Sequence, residues 1–250
     1  MTKIALITGA TSGIGKATAE ILAKNNYNLV LCGRRQDRLD ELQTALSKFT
    51  SIHTLLFDVR DKEAVFEQIS SLPNDFSEID ILINNAGNAH GLDPIQNGNL
   101  DDWDAMIDGN IKGLLYVSKA IIPQMIARKS GHIINIGSTA AKEVYPNGNV
   151  YCATKHAVDA LNQGMRMDLN PFGIRVGAIH PGMVSTEFSN VRFKGDDEKA
   201  QNVYKGFDPL QAEDIADIIH FVVSRPYHVN IADLVVMPTA QASSGIVNRL

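Results

Sequence analysis

The stretch Lys3–Gly15, KIALITGATSGIG, decides how the rest of the chain is read. It opens on an apolar run with strand character, turns at Gly9, and passes into a helical pattern over Gly15–Asn25. Glycines at 9, 13 and 15 let the backbone turn tightly and approach a ligand closely. The helix behind them offers free N–H groups and the positive end of its dipole. A glycine-rich turn at the start of a strand–helix–strand unit is a phosphate cradle far more often than a plain turn. Thr11, Ser12 and Ile14 complete the candidate cradle.

Working outward, the same rhythm repeats. Further apolar runs are YNLVLCG, IHTLLFDV, IDILINNAG, GHIINIGS, IRVGAIHPG and IADLVVMP. They are rich in Ile, Val and Leu and mostly lack polar alternation, as strands of a parallel sheet buried on both faces do. Helical patterns separate them at 37–49, 61–72, 100–129 and 149–170. The expectation is an α/β fold: one Rossmann-type doubly wound parallel sheet of about seven strands with helices on both faces, forming a single domain over 1–250.

Composition agrees. The chain has 250 residues, 44% hydrophobic, with a formal net charge of -5, so nothing suggests a nucleic-acid partner, which calls for a basic excess. Cys32 and Cys152 lie in apolar segments without metal-ligand spacing and read as buried thiols. No apolar run approaches the roughly 18 residues of a membrane span, and the first strand begins at once. The expected setting is cytoplasmic, with no membrane partner.

The tip of the second strand reads CGRRQDRL. A dinucleotide site specific for NAD places an acid there; Arg34 and Arg35 stand there instead. Guanidinium forks suit a 2′-phosphate, which predicts NADP. The alternative is a solvated pair facing Asp37 or Asp40. Asp58 and Val59, ending the third strand, are placed to meet adenine, although Asp58 also suits a helix cap. Asn84–Gly87, NNAG, ends the fourth. Asn85, Ala86 and Gly87 let the chain pass near the cofactor, and the amides can pin neighbouring strands.

In NVYCATKHAVDAL, Asn149–Leu161, Tyr151 and Lys155 stand four residues apart on one helical face. A free phenol titrates near pH ~10, and an adjacent ammonium lowers that value. The pair is either a tuned acid/base or two surface residues. The ordered set TGATSGIG, NNAG, NIGS, YCATK and HPG resembles the short-chain dehydrogenase/reductase family over nearly the whole chain. That resemblance implies catalytic positions at Asn110, Ser138, Tyr151 and Lys155. Ser138 would bind the substrate oxygen, Tyr151 exchange its proton, and Lys155 lower the tyrosine pKa and hold the nicotinamide ribose. Asn110, in DGNIKG, would hold a relay water or mark a helix kink between Gly109 and Gly113. Pro181 and Gly182 would turn the chain past the nicotinamide so that backbone groups as far as Val184 bind its carboxamide. His180, at a strand end, reads as a packing residue with no catalytic role.

The polar stretch 186–207 breaks the rhythm and is either a surface insertion or a substrate lid. Its sequence TEFSNVRFKGDDEKA, with the tail HVNIADLVVMPTAQ, resembles the family's NADP-dependent subgroup acting on serine, allo-threonine and other 3-hydroxy acids. The implied substrate is a small 3-hydroxy acid or the matching 3-oxo acid. Arg192 is the candidate carboxylate clamp, unless Asp196 or Asp197 takes it. Glu187 and Phe188 are assigned only to the lid's hinge. A 3-oxoacyl-carrier-protein reductase would need a basic patch, for which Arg128 and Lys129 offer little. A dinucleotide-binding sensor without catalysis is disfavoured by the intact Tyr151–Lys155 pair. The family commonly forms tetramers, so a homotetramer is expected. Ile246, Val247 and Leu250 are candidates either for cover by a partner subunit or for a frayed end.

Overall fold

The computed structural model describes residues 2–250. Strand β1 (Ile4–Thr8) leads through the glycine turn into α1 (Gly13–Lys24), and β2 (Asn28–Gly33) into α2 (Gln36–Leu46). Then follow β3 (Ile52–Leu56), α3 (Lys62–Ser70), β4 (Ile81–Asn84), α4 (Leu100–Ile107), α5 (Leu114–Arg128), β5 (Gly131–Ile136), α6 (Asn149–Leu169) and β6 (Ile174–Pro181). A short strand β7 (Val184–Ser185) opens the polar stretch, which folds into α7 (Phe188–Arg192) and α8 (Asp197–Asn202). The chain closes with β8 (Leu210–Gln211), α9 (Ala212–Val223) and β9 (Asp233–Val236).

Seven strands form one parallel sheet in the order β3-β2-β1-β4-β5-β6-β9, with β7 and β8 paired separately. The strand alternation explains why the runs mostly lack polar positions. Ala5 and Ile7 of β1 face one core with Leu22 of α1, Leu39 of α2 and Ile219 of α9. Ile4 and Leu6 face the other, with Val65 of α3, Ile121 of α5 and Leu169 of α6. Both faces are apolar because both are covered by helices. Cys32 and Cys152 are free and buried, as expected of small apolar thiols.

The 100–129 pattern is not one helix. A π-helical segment, Asp108–Gly113, separates α4 from α5 and leaves Asn110 2% exposed inside it. Such wide turns gather at functional sites. β1 has β2 on one side and β4 on the other, so the sheet order reverses there and a crevice opens beyond the strand ends. Among the described residues, no helix is long and apolar enough to cross a membrane.

Candidate active site

A cavity of about 580 Å³ occupies this crevice. Every residue picked out by sequence for cofactor, chemistry or substrate lines it except Gly15 and Asn110. Those two stand directly behind its wall. A Cβ on Gly15 would lie 2.3 Å from the Gly9 carbonyl oxygen and 2.5 Å from Asn85 Nδ2. Only a residue without a side chain allows that approach.

The phosphate end fits a dinucleotide. Gly9 has φ +66°, a left-handed conformation that glycine adopts without strain. Asn85 Nδ2 donates to the Thr8 and Gly9 carbonyls at 2.9 and 3.3 Å, while Thr8 Oγ1 accepts from the Asn85 and Ala86 amides. The fourth strand's end is thereby tied to the glycine turn. Helix α1 begins after Ser12 with no side-chain cap and no acid in its first turn, leaving its dipole free for an anion.

The arginines beside this cradle do not pair with Asp37 or Asp40. Arg34 approaches Asp58 at 3.5 Å. Arg35 donates to Thr11 Oγ1 at 3.1 and 3.3 Å and to the Thr11 carbonyl at 3.3 Å, and forms an ion pair with Glu187 at 3.0 Å. Arg38, one turn further along α2, reaches the same carboxylate at 2.6 Å. Burial alone would raise the Glu187 carboxyl; hydrogen bonds from Arg38 and Arg35 outweigh it and hold the group below the usual range. Neither Arg38 nor the charge of Glu187 was singled out in the sequence. Arg38 lies at helical spacing from Arg34 and Arg35, which is the signal that marks it. Asp58 is not a helix cap, since Asp61 caps α3. Its carboxylate instead accepts from the Arg60 backbone and guanidinium, which overcome burial and hold its pKa down.

At the chemical end, Tyr151 and Lys155 lie on one face of α6, 8% and 7% exposed. Lys155 Nζ donates to the Ile136 carbonyl at 3.0 Å and sits 6.0 Å from the Tyr151 ring centroid. Burial pushes the lysine down to about 8. The phenol departs from the sequence expectation. Burial raises its pKa, Tyr145 adds to the rise, and the opposing groups are the Ser138 hydroxyl and Arg192 rather than Lys155. Desolvation of the charged form outweighs a single nearby amine that is itself poorly solvated.

Ser138 caps the turn Thr139–Ala141, its Oγ accepting from the Ala140 amide at 3.1 Å. The Asn110 side chain is fixed by its neighbours. Its amide nitrogen donates to the Asn88 carbonyl at 2.8 Å and to Thr154 Oγ1 at 3.0 Å, and its oxygen accepts from the Asn88 amide at 2.8 Å. One oxygen lone pair is left for any relay water. Gly182 donates to the Val236 carbonyl at 2.7 Å, turning the chain after Pro181; the Val184 carbonyl accepts from Tyr204 at 2.8 Å. His180, fully buried, stays outside the cavity lining, with Nδ1 3.2 Å from the Ser138 carbonyl and Nε2 2.7 Å from Asp233 Oδ1.

The 186–207 stretch is folded over the crevice. Arg192 pairs with neither Asp196 nor Asp197. Its Nε donates to the Gly91 carbonyl at 3.2 Å, its Nη2 to Tyr145 Oη at 2.7 Å, and its guanidinium carbon lies 5.2 Å from the Tyr151 ring centroid. Lys194 bridges to Asp102 at 3.0 Å. The tail does not fray: Leu250 donates to the Gly206 carbonyl and Arg249 to the Val203 and Lys205 carbonyls, so the C-terminus braces the stretch from behind.

A buried tyrosine–lysine pair beside a serine, at the mouth of a dinucleotide crevice, defines a dehydrogenase of the hydride-transfer type. The chain belongs to the short chain dehydrogenase family, whose model matches residues 3–197. It is 44% identical over 244 residues to the NADP-dependent 3-hydroxy acid dehydrogenase YdfG of Escherichia coli O6:H1, covering 97% of this chain and 98% of the relative. It is 45% identical over 240 residues to the serine 3-dehydrogenase of Rhizobium radiobacter, covering 96% and 95%. Among solved structures, the closed form of serine dehydrogenase complexed with NADP+ matches with a TM-score of 0.93 at 45% identity, covering 97% of this chain and 98% of that one.

Proposed function

We propose that the chain is an NADP-dependent oxidoreductase that reversibly oxidises the 3-hydroxyl of short 3-hydroxy acids. L-serine, L-allo-threonine, 3-hydroxyisobutyrate and 3-hydroxypropionate fall within its range. The observation that carries the substrate class is Arg192, a cation set over the Tyr151 ring and inside the cavity. A carboxylate held by that guanidinium would seat a short acid beside the tyrosine. The names of the relatives agree with this class.

NADP(H), when bound, would supply the hydride acceptor for oxidation and the hydride donor for reduction. Arg34 and Arg35 would hold the 2′-phosphate, the α1 N-terminus and the glycine turn would take the pyrophosphate, and Asp58 and Val59 would border the adenine. Ser138 Oγ orients the substrate oxygen. Tyr151 takes the hydroxyl proton in oxidation and gives it back in reduction. Lys155, its pKa pushed down to about 8 by burial, can carry that proton onward as well as hold charge. The 186–207 stretch acts as a lid that brings Arg192 to the site and keeps water out.

A carrier-protein substrate is disfavoured at Arg128, which is engaged by Asp80 at 3.3 Å, by Glu78 at 3.7 Å and by the Ile79 carbonyl at 2.6 Å and so adds little to the thin basic pair it makes with Lys129. The reading includes self-association as a homotetramer. It is supported by large apolar side chains left in solvent on Leu115 of α5, Met167 of α6, Val235 of the edge strand β9, and the tail residues Ile246 and Leu250. Light scattering reads the assembly.

The deciding experiment is a panel of 3-hydroxy acids, 3-oxo acids and neutral alcohols, run in both directions with NADP(H) and NAD(H). Turnover confined to acids with a 3-hydroxyl or 3-oxo group supports the reading, and equal turnover of neutral alcohols ends it. Tyr151→Phe should lose about 10²- to 10⁴-fold in kcat while still binding NADPH.

A further inference from the structure

Glu187 is the first charged residue of the 186–207 stretch, and it is not solvated freely. Its two carboxylate oxygens take one guanidinium each, Oε2 from Arg35 at 3.0 Å and Oε1 from Arg38 at 2.6 Å. Arg35 is one of the two groups read as receiving the 2′-phosphate. A carboxylate therefore sits on the cation meant for a phosphate, as the chain's own stand-in for it. Thr186, one residue earlier, packs on the glycine turn, where a Cβ on Gly13 would come within 3.2 Å of its side chain. The start of the stretch thus touches both the pyrophosphate cradle and the 2′-phosphate arginines.

We infer that Glu187 sets coenzyme discrimination by competing with the 2′-phosphate of NADP(H) for Arg35 and Arg38. The inference rests on the cofactor reading above and adds a residue that works against it. The charges around the pocket show the sense of the effect. Arg34, Arg35, Arg38 and Arg60 stand against Asp58 and Glu187. Asp58 is committed to Arg60 through its hydrogen bonds and approaches Arg34 only at 3.5 Å. Glu187 is therefore the anion that a phosphate must displace or share with. Removing its charge leaves Arg35 in place, because three hydrogen bonds to Thr11 still orient that guanidinium. NAD(H) carries hydroxyls where NADP(H) carries the phosphate, so it makes no such demand.

The test measures binding of adenosine 2′,5′-bisphosphate and of ADP by calorimetry, which needs no turnover. Glu187→Gln should bind the bisphosphate about five- to tenfold more tightly than wild type, with ADP unchanged. Glu187→Ala should move in the same direction, since charge and not shape is at issue. Unchanged or weaker bisphosphate binding in Glu187→Gln overturns the inference, as does an equal gain for ADP or an opposite sign in the two variants. The parent reading is separable. If wild type binds both nucleotides alike, the 2′-phosphate site itself falls and Glu187 falls with it. If wild type discriminates and the variants do not tighten, only the competition is wrong.

Discussion

The guanidinium carbon of Arg192 lies 5.2 Å from the ring centroid of Tyr151, nearer than Lys155 Nζ at 6.0 Å. The cation closest to the phenol ring thus belongs to the stretch over the crevice and not to the helix that carries the tyrosine. Burial keeps the phenol protonated, and Arg192 is among the groups that pull the other way. Seating of the stretch and acidity of the tyrosine are therefore linked by one side chain. A substrate carboxylate on Arg192 would partly neutralise that charge and favour the protonated phenol, the form required to donate in reduction.

Arg192→Ala should raise KM for a 3-hydroxy acid by about 10- to 100-fold, the worth of a charge-assisted bidentate contact. A neutral secondary alcohol turned over by the same enzyme should show a far smaller change. Steady-state kinetics on the two substrates checks this, and an unchanged acid KM removes the clamp.

Gly15→Ala should damage the cofactor cradle. Its Cβ would lie 2.3 Å from the Gly9 oxygen, and backbone cannot step aside as a flexible side chain does. The expected cost is about 1–3 kcal/mol of stability, with NADPH binding weakened at least about tenfold because the glycine turn must shift. Gly164→Ala is the control: nothing lies within 4 Å of its Cβ on α6, and it should stabilise by about 0.5–1 kcal/mol. Thermal unfolding and fluorescence titration with NADPH separate the two variants.

Parts of this architecture were legible in sequence for physical reasons. Strands buried on both faces must be largely apolar, so the Ile-, Val- and Leu-rich runs of β1, β4, β5 and β6 declared a parallel sheet. Tyr151 and Lys155 share a face because helical spacing requires it. The interruption of 100–129 at Asp108–Gly113 was legible only as a possible kink between Gly109 and Gly113; its π-helical form was not, because one wide turn leaves the apolar period on either side nearly intact. The Glu187 pairs with Arg35 and Arg38 span 152 and 149 residues, beyond any local pattern. The rise of the Tyr151 pKa follows from burial that only the packed molecule defines. Tyr145, which receives Arg192 Nη2 and lines the cavity, sits in a loop whose sequence carries no periodic signal.

Lys155→Met should abolish turnover yet stabilise the cofactor-free protein. In the unfolded chain this lysine titrates near 10.5; in the folded chain burial brings it to about 8. Below pH 8 both states carry the charge, and the folded one bears the cost of burying it. Between pH 8 and 10.5 the unfolded state binds more protons, so wild-type stability climbs with pH. The variant should therefore lead by about 1–3 kcal/mol at pH 7, reduced by the loss of the bond to the Ile136 carbonyl. That lead should fade as the pH approaches 10.5. Urea unfolding across this range reads it; a variant less stable at pH 7 contradicts the desolvation argument.

His132 supplies the acid-side counterpart. It lies inside β5, 1% exposed, and neither ring nitrogen has a hydrogen-bond partner. Burial, with Arg175 and Lys3 adding to it, pushes its pKa down from 6.5 to about 3. The folded ring stays neutral while the unfolded ring takes a proton below pH 6.5, so its contribution is intact above that value and is lost as pH falls toward 3. His132→Leu nearly conserves volume and forfeits no hydrogen bond. It should shift stability by less than about 1.5 kcal/mol at pH 7.5. Near pH 5 it should gain about 2 kcal/mol over wild type, relative to that baseline. Chemical denaturation at the two pH values measures the difference. An acid sensitivity equal to that of wild type would show that the ring reaches a solvated, protonated state without unfolding.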